Sequence, residues 1–322
     1  MEEFNNYCAK YFPKCSIFKR IELALDCLKE YIVYGTRLNN YFLYDFYAKT
    51  KSERRAFFTL GEGWEYRRSI NGKEPHQKLQ DKRTFNETFS DSICRDWICM
   101  EGATKDEFDK FCSIHTSFIE KPVDLGRGEG IKKVIVSDEN KEAMYQMYAG
   151  KPIILEEVVV ACDILNDLYP KSLNTIRVST MLDKTKSKVT IIAATLKVGV
   201  GESVVDNFAM GSLAAAIDVD KGVVLRKAID KKGNKYEFHP ETGKLIFGIT
   251  IPGWQKIIDM CTEAALSYPD APYIGWDVAV SQTKDGQNYI PQLIEGNDSQ
   301  CFLILQAPLG AGLKEKIMNA AC

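Results

Sequence analysis

Apolar residues at Ile17, Ile21, Leu25, Leu28 and Ile32 recur at intervals of three and four. That period predicts one face of an amphipathic helix over 16–35, with Gly35 placed to stop it. An aromatic run follows, Tyr41, Phe42, Tyr44, Phe46 and Tyr47, and then the basic Lys49, Lys51, Arg54 and Arg55. It reads either as a packed helical pair with a solvated basic end or as a segment that docks on a membrane surface or a partner. Residues 61–80 are polar and rich in turn formers, and predict a linker or exposed loop.

After residue 110 the period shortens. β-Branched runs at 117–122, 133–137, 153–160, 175–182 and 189–197 predict strands, interrupted by turns and one helix at 139–148. The last third adds a helix at 253–267, punctuated by Pro252 before it and by Pro269 and Pro272 after it. Further strands are predicted near 273–281 and 290–295. Strand following strand in this way argues for hairpins and antiparallel sheets in an α+β fold, not for regular βαβ units.

Composition narrows the class without naming it. The 322 residues suit about two folding units. The 42 Lys and Arg against 44 Asp and Glu give a net charge of −2, without the basic excess of a nucleic-acid binder. The ten cysteines include no Cys-x-x-Cys pair, so neither a zinc knuckle nor a disulfide framework is indicated. They fit small buried hydrophobes in a reducing compartment. The opening MEEFNNYCAK is unlike a signal peptide and no run is apolar enough to span a bilayer, so the expected address is cytoplasmic.

Three places carry candidate chemistry. Gly126, Gly128 and Gly130 lie between two strand-like runs, where exposed amides could close on an anion. A strand, not a helix, follows them, which excludes a dinucleotide-binding turn, and no Gly-Lys-Ser/Thr closes a P-loop. A plain hairpin and a nucleotide flap preceded by Lys121 both remain open. Glu156 and Glu157 sit within the run 153–160, as charges on an exposed edge or as a strand whose backbone reads an adenine. Asp277 lies in an otherwise apolar strand, while Glu295 and Asn297, two apart, share a face. Three oxygen donors on adjacent strands suit Mg²⁺.

Taken in order, Lys82, Lys121 before a glycine flap, Glu156-Glu157, and Asp277 with Glu295 and Asn297 resemble the ATP-grasp proteins. More narrowly, Leu173-Asn-Thr-Ile-Arg-Val-Ser179, Val205-Asp-Asn-Phe208, His239-Pro-Glu-Thr-Gly243 and Gly275-Trp-Asp277 resemble the sugar-transfer-associated ATP-grasp family, related to the alpha-L-glutamate ligases. The likeness runs over roughly 15–315. It implies an N-terminal helical segment and linker over 1–80, a lid and flap with the hinge strand over 81–160, and a C-terminal subdomain with the metal site over 161–322.

The cofactors implied are ATP and Mg²⁺. Lys82 and Lys121 would hold the phosphates beneath a flap of Gly126, Arg127, Gly128 and Gly130. Glu156, Glu157 and Val158 would line the adenine, and Asp163 would reach the ribose, although Ala161 and Cys162 stand where relatives often carry glutamine and histidine. Asp277, Glu295 and Asn297 would ligate the metal and Arg177 would face the transferred phosphoryl group. Asn174, Asp206, Asn207 and His239 would lie on the acceptor side, His239 as a structural or substrate-positioning residue in a turn. The implied activity is a carboxylate–amine ligase using an acyl phosphate, with a saccharide acceptor and an amine donor in surface-polysaccharide biosynthesis. A kinase acting on a hydroxyl shares every ATP and metal residue. A nucleotide-binding accessory protein of a polysaccharide-assembly complex is the third reading.

Overall fold

A computed structural model describes residues 2–73, 76–124, 129–201, 206 and 208–322. Two antiparallel sheets carry the architecture. The smaller runs in the order β1-β4-β2-β3, from β1 (Trp97–Cys99), β2 (Ser117–Pro122), β3 (Lys132–Ile135) and β4 (Ile153–Glu157). The larger has the order β11-β10-β5-β6-β7-β8-β9. Its strands are β5 (Ile176–Leu182), β6 (Val189–Val198), β7 (Leu213–Ile217), β8 (Ala228–Ile229), β9 (Lys235–Tyr236), β10 (Tyr273–Gln282) and β11 (Tyr289–Asn297). Every pairing is antiparallel, as the succession of short runs predicts.

The N-terminal third is helical: α1 (Glu2–Tyr11), α2 (Ile17–Tyr34), α3 (Leu38–Leu43), α4 (Lys51–Arg55), α5 (Leu60–Asn71), α6 (Gln77–Gln80), α7 (Lys82–Thr88) and α8 (Ser90–Ile93). In α2 the Ser16 hydroxyl accepts from the Lys19 N–H at 3.2 Å, and Gly35 ends the helix at a left-handed φ of 66°. The predicted helix is present, but its apolar stripe faces out. Leu23, Cys27 and Glu30 form the inner face.

The aromatic run is packing, not a docking surface. Tyr41, Phe42, Tyr44 and Phe46 are fully buried against Phe57, Ala214, Ile229 and Ala307, so the helices close over β7 and β8. The basic end is engaged as well. Arg54 Nη2 donates to Asp26 at 2.7 Å and its Nη1 to Glu30 at 3.2 Å, and Arg55 also pairs with Glu30.

The expected linker over 61–80 is instead largely helical. Thr59 and Glu62 form a capping box that starts α5 despite two glycines. Gly63 is tolerated because the Phe302 ring occupies the space a Cβ would need. Arg67 donates to the carbonyls of Ser299 and Gln300, and Asn71 bonds both Tyr273 and Asp298, which fastens the segment to the end of β11. These partners lie more than two hundred residues away, beyond local pattern.

The remaining helices of the described residues are α9 (Lys105–Ile114), α10 (Lys141–Tyr148), α11 (Asp163–Asn166), α12 (Trp254–Ser267), α13 (Leu303–Leu309) and α14 (Lys314–Ala320). The four-stranded sheet has its own core of Phe108, Phe111, Phe118, Tyr148 and Leu155. The main core lies where α12 covers the larger sheet through Ile257, Cys261 and Ala264. Five of the cysteines are buried and none is paired, among the described residues. No described helix is long and apolar enough to cross a membrane.

Two details position the site. Residues 158–161 leave β4 and cross to the larger sheet, where the Cys162 N–H donates to Val280 O at 2.7 Å. In β11 a bulge leaves Ile294 without a partner, since Asp277 faces Glu295 and Val278 faces Leu293. At the other end of the fold Gly312 sits directly against the backbone of Ala56 and Phe57. Gly312→Ala is expected to cost about 1–3 kcal/mol through overpacking, seen as a lower urea midpoint at unchanged slope.

Candidate active site

The larger sheet sets charged side chains in a transverse row. Glu295 of β11 faces Asp277 of β10, and Asp277 faces Arg177 of β5. Residues opposite one another across a ladder share a face, so all three project together. Lys197 of β6 and Asp206 extend the row: Lys197 Nζ lies 2.9 Å from Asp277 and 3.1 Å from Asp206.

Arg177 meets Asp277 with a bidentate fork, Nε at 2.6 Å and Nη2 at 2.8 Å, and stands 3.7 Å from Glu295. Its guanidinium is thus turned onto the expected metal ligand, and the structure makes it a positioning residue for Asp277. Burial alone would raise the Asp277 carboxyl, but Arg177 and Lys197 outweigh it and hold the group well below the usual range. Glu295, half-exposed at the end of the row, behaves oppositely. Desolvation and the Asp277 carboxylate beside it push its carboxyl above the ordinary range. Two carboxylates directly opposed on one face repel, and a divalent cation between such groups removes that repulsion. Asn297 lies two residues on, its Oδ1 accepting the Ser299 N–H at 2.9 Å.

The smaller sheet brings a second charged group to the same place. Lys121 Nζ lies 2.5 Å from Glu156, and Arg95 Nε lies 2.9 Å from it. Burial opposes ionisation of Glu156, yet Lys121 and Arg95 hold its carboxyl well below the ordinary range. Glu156 therefore takes part through a buried side chain, not as a charge on an exposed edge. Arg95 also donates to Leu293 O of β11 at 2.6 Å, which ties the two sheets.

Lys82, at the start of α7, donates to Pro122 O at 2.8 Å. Burial and the neighbouring Lys121 lower its pKa, while Glu295 and Glu156 act against them. Lys121, Glu156 and Glu295 thus all act on Lys82, which stands between the charged groups of the two sheets.

Other expected residues are placed differently. Glu157 accepts the Asp96 N–H at 3.1 Å, and His115 joins that pair by bonding Asp96 at 2.9 Å. Val158 begins the crossing segment and Asp163 lies exposed at the start of α11. Gly130 turns at a φ of 74°. Gly126, Arg127, Gly128 and Asn207 lie outside the described residues.

Two acceptor-side expectations become scaffold. Asn174 is fully buried, donating to Leu165 O at 2.7 Å and Tyr169 O at 3.0 Å while accepting from Gly199 N–H at 3.1 Å. His239 is buried and stacked on Tyr169, with Nε2 2.8 Å from Gly199 O and Nδ1 accepting from the Glu241 and Thr242 amides. Asp206 remains in the charged row, accepting from Thr175 N–H at 2.7 Å. Lys197 was not expected from sequence, although a lone cation in the apolar run 189–198 carries the same signal that marks Asp277.

A family model described as sugar-transfer associated ATP-grasp matches residues 142–321, more than half of the chain. The chain belongs to that family. Its fold is accordingly the ATP-grasp fold of ATP-dependent ligases. The matched region contains Glu156, Arg177, Lys197, Asp206, Asp277 and Glu295, while Lys82 and Lys121 precede it.

Among solved structures, the ATP-grasp ligase PsnB complexed with a minimal precursor, Mg and ADP is 15% identical over 76% of this chain and 59% of that one, with a TM-score of 0.43. D-alanine–D-alanine ligase from Bacillus anthracis complexed with ATP is 16% identical over 75% and 60%, with a TM-score of 0.39. The chain spans about three fifths of the length of these structures. No curated protein sequence matches significantly.

Proposed function

We propose that the protein is an ATP- and Mg²⁺-dependent carboxylate–amine ligase that forms a C–N bond through an acyl phosphate and modifies a sugar or sugar acid in surface-polysaccharide biosynthesis. The row Glu295–Asp277–Arg177–Lys197, set beside Lys82 and Lys121, carries this reading. Family membership supports the nucleotide chemistry, and the family's description supports the saccharide acceptor.

Asp277, Glu295 and Asn297 would hold Mg²⁺, whose charge offsets that of the nucleotide phosphates when it is bound. Their fit rests on donor chemistry: three hard oxygen donors on two adjacent strands, two of them opposed carboxylates. Arg177 and Lys197 keep Asp277 ionised and fixed in orientation, so an acceptor oxygen set is ready before the nucleotide arrives. Lys82 and Lys121 bind the phosphates as point charges. Lys121 keeps donors for this beyond its bond to Glu156, because an ammonium carries three. Phosphoryl transfer then needs alignment and charge neutralisation more than covalent help from the protein. The site has to keep water from an acyl phosphate, which otherwise hydrolyses.

The test is a panel of sugar acids and amines incubated with ATP and Mg²⁺, following nucleotide and phosphate products. ADP and free phosphate that require both acceptor and amine support the ligase. A stable phosphorylated acceptor with ADP would turn the reading to phosphotransfer, and AMP with pyrophosphate would overturn both.

His239 supplies a smaller check on the scaffold assignment. His239→Ala is expected to lose about 1–3 kcal/mol of stability by orphaning Gly199 O and two amides, with the KM for ATP unchanged in the soluble fraction.

A further inference from the structure

Helix α2 is mounted with its polarity reversed. Its body-facing side holds Asp26 and Glu30, clamped by Arg54 and Arg55, around the small apolar contacts of Leu23 and Cys27. Its outer side shows Ile17, Phe18, Ile21, Leu25, Leu28 and Ile32, each between 52% and 80% exposed. An amphipathic surface helix ordinarily does the opposite. The patch runs the length of α2, and side chains of this size present roughly 800–1,000 Å² together, near the ~800 Å² that each partner buries in a standard interface. Apolar patches of more than a few hundred Å² usually mark an interaction site.

The spacing within the patch is more specific. Phe18, Ile21, Leu25, Leu28 and Ile32 alternate by three and four residues, the seam of a two-stranded coiled coil. Glu22 and Lys29, both exposed, flank the seam on one side, and Ala24 and Tyr31 flank it on the other. We propose that α2 pairs with α2 of a second copy, antiparallel about a two-fold axis. In that register Leu25 packs on the second copy's Leu28, and Ile21 on its Ile32. Glu22 then meets the second copy's Lys29, and the symmetry supplies the same ion pair again. On the other flank Ala24 meets the second copy's Tyr31, where the small side chain leaves room for the ring. A parallel pairing would set Glu22 and Lys29 against Ile17 and Ala24, giving neither a partner on the second copy and leaving Glu22 only its own Lys19 at 3.0 Å. The charge pattern therefore selects a second copy in the antiparallel sense, and a self-complementary patch of this kind closes as a dimer.

Sedimentation velocity on the full chain tests this, with circular dichroism to verify folding. The wild type is expected to be a dimer and Leu25→Glu with Leu28→Glu a folded monomer, since both side chains are solvent-exposed in the single chain. Glu22→Lys alone and Lys29→Glu alone are each expected to weaken the dimer roughly tenfold by replacing two attractive pairs with two repulsive ones. The doubly swapped variant restores it, and so does an equimolar mixture of the two single variants. A monomeric wild type up to the hundred-micromolar range would overturn the proposal. So would a dimer indifferent to all four charges, or a monomer that binds anionic vesicles through Leu25 and Leu28.

Discussion

Glu295→Gln is expected to lower Mg²⁺-dependent ATP turnover by roughly 10²–10³-fold, the scale of losing one electrostatic contact to a transferring phosphoryl group. Calorimetric titration with ADP should show the same loss as a Mg²⁺-dependent weakening that disappears when Mg²⁺ is left out. The fold should not suffer, because glutamine removes a carboxylate opposed to Asp277 and leaves Arg177 and Lys197 on that residue. The pH dependence gives a second signature. A carboxyl raised in the folded state binds more protons there than in the unfolded chain, so stability declines as pH rises from the ordinary carboxylate range through the raised value. The metal-free variant should therefore melt above the wild type at alkaline pH, with the two converging in acid. Wild-type turnover in a folded variant would remove Glu295 from the metal site.

Glu156→Gln is expected to have the largest effect on stability, about 3–5 kcal/mol, because it leaves Lys121 and Arg95 buried without their anion. Urea unfolding at neutral pH measures it. Here the sign is reversed. A carboxyl held low in the folded state contributes stability that is present above its unfolded value of about 4.5 and is lost as pH falls below it. The gap between wild type and variant should thus narrow on acidification. If the single variant is insoluble, adding Lys121→Met should recover part of the loss, since one orphaned charge goes with it. Two single substitutions whose effects simply add would argue against the buried pair.

Much of the framework was legible from local pattern. The strand at 117–122 appears as predicted, and 273–281 and 290–295 differ from β10 and β11 by a residue or two at their ends. Helix α2 was marked by its period and its glycine stop. The direction in which it points was not, because the ion pairs that turn it inward come from Arg54 and Arg55 on another helix. Asp277 could be singled out because an acid in an apolar strand demands a partner. Its partners Arg177 and Lys197 stand 100 and 80 residues away in sequence, and only the ladder makes them neighbours. Glu156 was ambiguous for the same reason. Arg95 and Lys121 decide between an exposed edge and a buried pair, and neither announces itself in the strand that carries Glu156. Asn174 and His239 show the converse. Their motifs were visible, but the bonds that saturate them belong to loops brought in from elsewhere.

The bulge at Ile294 has a consequence for how such a chain can vary. Leu293 and Glu295 are two apart and would share a face on a regular strand, yet Leu293 packs in the core while Glu295 joins the charged row. Deleting Ile294 would leave Leu293 and Glu295 adjacent, so they would still take opposite faces and Glu295 would still face Asp277. A one-residue deletion at the bulge is therefore compatible with the charged row, whereas flattening the bulge at full length would turn Glu295 and Asn297 toward the apolar side. A functional relative should therefore keep its core residue and its acid on opposite faces, either adjacent on a regular strand or two apart across a bulge.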